Sequence, residues 1–95
     1  MTTITLPIAT MRDERLSPEA RTVLAIGLSF APDQLPDPLP GYLRGHGIGS
    51  HRIGRVLREL EALGYMERRR TRAGGRLGAK WIYAFHATPR VMVAA

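Results

Sequence analysis

Past Ser50 the aliphatic residues Ile53, Val56, Leu57, Leu60 and Leu63 recur at steps of 3, 4, 7 and 10 from the first, the spacing of one face of an α-helix. The opposite side carries His51, Arg52, Arg55, Arg58 and Ala62. A helix over 50–63 is therefore predicted, with an aliphatic side that the rest of the chain has to cover and a cationic side facing out. Gly49 or Ser50 caps it, and Gly64 is a natural stop.

Upstream, Leu16-Ser17-Pro18-Glu19 is a helix start: Ser17 can cap free N–H groups, Pro18 suits the first helical position, and Glu19 suits the positive end of the dipole. Ala20 stands where a capping box would have Glu or Gln, so half of that motif is missing. Ala20, Val23, Leu24, Gly27, Leu28 and Ala31 then recur with helical period, widened by Ile26 and Phe30. This is the pattern of a central core helix, with part of a dimer contact as a further use. Asp37-Pro38 reads as a second cap and first helical position, with Pro40 in the first turn and Leu39, Tyr42 and Leu43 as a short apolar face. Gly41, Gly45 and Gly47 weaken that helix.

Residues 65–72 read as an arginine-loaded strand, 73–79 as a glycine-rich turn, and 80–86 as a second strand with Trp81, Tyr83 and Phe85 on one face. That aromatic face is expected to be the core side of a hairpin; a stacking platform for single strands is the alternative. Residues 2–8 alternate apolar and polar, predicting a short edge strand ending near Pro7. The expected organisation is one α+β domain over 1–95, with an arm over 1–15 and a tail over 87–95.

Ninety-five residues, 44% hydrophobic and 23% charged, fit a single globular domain. There is no cysteine, hence no disulfide and no thiolate metal site. His46, His51 and His86 are scattered without metal-ligand spacing. Glu59 and Glu61 are two apart and do not face each other as a catalytic pair. No nucleophile triad or phosphate loop is visible, so no enzyme, no cofactor and no small-molecule ligand are expected. No apolar run approaches the roughly 20 residues of a bilayer crossing, and no secretory leader is visible. A cytoplasmic protein without membrane contact is the expectation.

Charge separates the chain. Residues 1–43 hold three Arg and five acids, net −2; residues 44–95 hold ten Arg, one Lys and three acids, net +8. A basic half joined to a near-neutral half is the footprint of a polyanion binder, and arginine suits phosphate forks and guanine edges.

The run Gly47-Ile48-Gly49-Ser50-His51-Arg52-Ile53-Gly54-Arg55-Val56-Leu57-Arg58-Glu59-Leu60-Glu61-Ala62-Leu63-Gly64-Tyr65-Met66 resembles the recognition-helix segment of bacterial winged helix-turn-helix regulators, with Leu60-Glu61-Ala62-Leu63-Gly64-Tyr65 as its most specific part. Leu6-Pro7 and Arg12-Asp13-Glu14-Arg15-Leu16-Ser17-Pro18-Glu19-Ala20-Arg21 are similar to the N-terminal winged-helix domains of phage and plasmid replication proteins and of small actinobacterial regulators. The resemblance spans residues 4–86. It departs from the pattern at Gly49, where a capping Ser is usual, and in the proline- and glycine-bearing second helix.

The resemblance implies a winged helix-turn-helix: three helices, a C-terminal two-stranded hairpin wing over 65–86, and a short N-terminal strand. It implies sequence-specific binding of double-stranded DNA by a transcriptional regulator. Replication initiation or plasmid and phage maintenance is the alternative process, and a protein- or RNA-binding adaptor the alternative class. An α-helix fits the major groove, and the exposed residues near its start reach base edges. The expected contacts there are Ser50, His51, Arg52 and Arg55, with Gly54 permitting close approach and Arg58 on a phosphate. In the hairpin Arg68, Arg70, Arg72 and Arg76 are expected along the backbone and minor groove. A homodimer is expected, because one small module reads few base pairs.

Overall fold

The computed structural model describes residues 5–71 and 80–90. The chain is α+β. Its order is α1 (Ile8–Met11), α2 (Pro18–Leu28), a 3-10 turn (Pro32–Gln34), α3 (Leu39–Gly45), α4 (Ser50–Ala62), β1 (Met66–Thr71) and β2 (Lys80–Phe85). The two strands pair antiparallel, Met66 opposite Phe85 and Thr71 opposite Lys80. Among the described residues no helix is long and apolar enough to cross a membrane.

The start of α2 follows from its sequence. The Ser17 hydroxyl accepts from the Ala20 N–H at 3.2 Å, and Pro18 occupies the first helical position. The half of the capping box missing at Ala20 comes from another helix. Glu59 of α4 accepts from the Ser17 N–H (3.2 Å) and the Ser17 hydroxyl (2.8 Å). A donor at a helix start is thereby satisfied across 42 residues of chain.

Ala20, Val23, Leu24 and Gly27 of α2 are buried, and the first three join Ile53, Val56, Leu57 and Leu60 of α4 in one core with Leu39 and Leu43 of α3. Each leucine, isoleucine and valine among them contributes about 1.5–3 kcal/mol by leaving water. Tyr83 and Phe85 pack against the same cluster from β2. A Cβ at Gly27 would stand 2.5 Å from the Phe85 ring, so helix and hairpin approach this closely only because α2 has glycine there. Gly64 follows α4 at φ +85, and the backbone of Arg90 lies against it, with the Arg90 N–H donating to the Gly64 carbonyl at 2.8 Å.

Polar contacts fasten the base of the hairpin. The buried Tyr65 donates its hydroxyl to Asp13 Oδ2 at 2.6 Å, and the His86 N–H donates to the Tyr65 carbonyl at 2.8 Å. Thr10, buried on α1, donates to the Ala87 carbonyl at 2.7 Å. Asp13 also takes a two-pronged contact from Arg15, at 2.9 and 2.7 Å. The Arg15 guanidinium, and then the Tyr65 hydroxyl, hold the Asp13 carboxyl well below the usual carboxylate range. Burial, and then the neighbouring Asp13, push the Tyr65 hydroxyl up.

Two expectations change. Residues 5–7 form no strand and Ile8 opens α1; residues 2–4 of the expected strand lie outside the described residues. Pro7 (φ −59, ψ 142) caps α1, and its carbonyl accepts from the N–H groups of Thr10 and Met11 at 3.1 Å. A proline has no N–H to offer a strand ladder but is well placed just before a helix. Among the described residues there are thus four α-helices where three were expected. The short helix begins at Leu39, with Pro38 rather than Asp37 at its cap position and Pro40 within its first turn.

Candidate nucleic-acid interface

Burial sorts α4 into two sides. Ile53, Val56, Leu57 and Leu60 are buried, while Ser50, His51, Arg52, Arg55, Arg58 and Ala62 are exposed. Leu63, expected in the helix, is its partly buried C-cap. Gly49 is the N-cap, so the helix start carries no side-chain cap and its first N–H groups stay available. Arg52 reaches Glu19 at 3.8 Å with its own side chain 64% exposed, a contact too long and too wet to immobilise it. Arg55 and Arg58 make no ion pair among the described residues. A Cβ at Gly54 would meet only the Arg58 guanidinium, at 3.6 Å, so no packing inside the protomer demands glycine there.

The hairpin treats its arginines differently. Cross-strand register puts Met66, Arg68 and Arg70 on one face with Phe85, Tyr83 and Trp81, and Arg69 with Ile82 on the other. The Arg68 Nε donates to Glu61 Oε2 at 3.3 Å, and the Arg68 side chain is 27% exposed. Arg70 is exposed. The guanidinium carbons of Arg68 and Arg70 stand 5.3 and 5.8 Å from the Trp81 ring centroid. Arg72 and Arg76, with the glycine-rich turn over 73–79, lie outside the described residues.

The aromatic face splits. Tyr83 and Phe85 lie on the core as expected, and burial raises the Tyr83 hydroxyl against the pull of Arg68. Trp81 does not; it is 45% exposed. The core ends under Tyr83, and Trp81 stands two residues further along β2 toward Lys80, with Arg68 and Arg70 beside it.

Sequence reasoning set Glu59 and Glu61 aside as a failed catalytic pair. Both are partners instead, Glu59 to Ser17 and Glu61 to Arg68. The empty capping-box position at Ala20 was the one local hint that an acid from elsewhere serves Ser17. His86 sits with Nε2 3.7 Å from Glu67 Oε1, and His46 lies against Tyr42 with centroids 4.5 Å apart.

Compared with known proteins, the chain matches no family model, no curated protein and no solved structure.

Proposed function

We propose that this chain is a winged helix-turn-helix protein that binds double-stranded DNA sequence-specifically and regulates transcription. In this reading α4 enters the major groove and the hairpin runs along the backbone toward the minor groove. One observation carries it: an aliphatic side of α4 sunk in the core, and a side bearing His51, Arg52, Arg55 and Arg58 left in water. A helix so anchored presents donors at the width of the major groove, where a bidentate arginine on guanine gives roughly 1–3 kcal/mol of discrimination. Ser50, His51, Arg52 and Arg55 are the base-edge contacts, Arg58 a phosphate contact, and Arg70 the leading backbone contact of the hairpin. Arg68 takes a lesser part because Glu61 already holds it. A homodimer on half-sites about one helical turn apart, on the order of 10 bp, completes the proposal.

The test selects bound fragments from genomic DNA with purified protein and measures their affinity across salt. Six to ten phosphate contacts give a log–log slope of roughly −6 to −10. Arg55→Ala should relax discrimination at one base position, whereas Arg70→Ala should weaken all sequences about equally. A flat salt response, or an Arg55→Ala variant that lowers affinity uniformly, sinks the assignment of the recognition face.

A further inference from the structure

We infer that Trp81, flanked by Arg68 and Arg70, is a stacking site for an unpaired nucleobase of single-stranded nucleic acid. The site rests on the proposed function for its setting, beside a duplex held by α4, and adds a ligand that the proposal does not include.

Exposure comes first. Trp81 leaves 45% of its surface in water, while Met66 on the same face of the hairpin is 1% exposed. The fold thus forgoes the burial of its largest apolar side chain.

The neighbours come second. Arg70 is directly opposite Trp81 in the register and Arg68 is diagonal to it, both within cation–π range. Arg68 is also tethered to Glu61, which fixes one guanidinium near the ring. Unpaired bases stack on aromatic rings and on guanidinium planes, and nearby cations follow the phosphates. Bases inside a duplex have both faces occupied and offer this ring none.

A groove of about 190 Å³ runs between Trp81 and the segment carrying Asp33, Leu35 and Pro36. The exposed Asp33 carboxylate on that wall repels phosphates, which favours the arginines as the place for a strand's backbone and leaves the groove to a base.

Trp81 is the chain's one tryptophan, so its fluorescence reports the site directly. The experiment uses the full chain and a duplex that it selects. The probes are that duplex with blunt ends, the same duplex with an oligo-dT or oligo-rU tail, and the free oligomers. The expected result is quenching by tailed duplex and by free oligomer but not by blunt duplex. A tail should tighten binding about 5- to 150-fold for one stacked base. Trp81→Ala should erase the gain from the tail and leave blunt-duplex affinity unchanged; Trp81→Phe should keep most of it. Gain from either tail supports the site, and the ratio of the two identifies DNA or RNA as the source. The inference is overturned if tails add nothing, or if Trp81→Ala weakens blunt and tailed duplex alike. It is equally overturned if Trp81 emission follows protein concentration alone, which assigns the ring to a contact between copies. Quenching by free oligomers without blunt-duplex binding keeps this site and removes the proposed function.

Discussion

α4 carries three arginines and the hairpin over 65–86 carries five, and the two hold them differently. α4 is held by hydrocarbon: four buried aliphatic side chains fix it, and its cations are left over. The hairpin is held at its base by directed polar contacts, Tyr65 to Asp13 and Thr10 to Ala87, and two of its cations are already engaged with Glu61 and Trp81. A larger cationic load in the sequence is therefore not a larger load left free for a ligand. A helix fixed by burial can offer its guanidinium groups outward without loss, whereas a hairpin arginine leaving Glu61 or Trp81 gives up an internal contact.

The largest effect should come from α4's inner side. Leu60→Ala should cost about 2–5 kcal/mol in urea unfolding, because Leu60 is fully buried. A loss below about 1 kcal/mol would show that hydrocarbon does not fix this helix. Glu59→Ala should follow, at about 1–3 kcal/mol, since it leaves the Ser17 N–H without its acceptor. An unchanged unfolding midpoint would mean that water replaces the carboxylate at no cost.

Acid should discriminate between the two regions. The Asp13 carboxyl titrates lower in the folded than in the unfolded chain, so its contribution is present above an unfolded value of about 3.9 and is lost as pH falls from there toward the folded one. Hydrogen exchange should show amides near Tyr65 and His86 opening on acidification before those of α4. Asp13→Asn should flatten that response, and simultaneous opening of both regions would erase the contrast.

Gly54→Ala carries the smallest effect and the opposite sign. The free protein should gain about 1 kcal/mol, because alanine favours the helix and meets only Arg58. Duplex affinity measured on the same variant decides the role of the glycine. A stabler protein that binds less tightly needs the bare backbone for close approach; unchanged binding means that it does not.

Local signals were legible and long-range pairings were not. Ser17-Pro18 marked the start of α2, and the spacing from Ile53 to Leu60 marked both sides of α4, because each pattern is complete within a few turns. The alternation misled over 5–8, since Pro7 serves a helix start as readily as a strand end. Nothing local links Ser17 to Glu59 or Asp13 to Tyr65, which lie 42 and 52 residues apart. The exposed cations of α4 were foreseen because helical period alone sorts them. The exposure of Trp81 was missed because alternation says which residues share a face, not how far along the strand the core extends.

The link from Glu59 to Ser17 ties the two longest helices of the fold together at a single carboxylate. Any load that lifts α4 away from its seat is felt at once where α2 begins, four residues beyond the carboxylate that grips Tyr65. Pulling on the exposed side of α4 would thus loosen the spine of the molecule from one end, making surface load and integrity a single mechanical property.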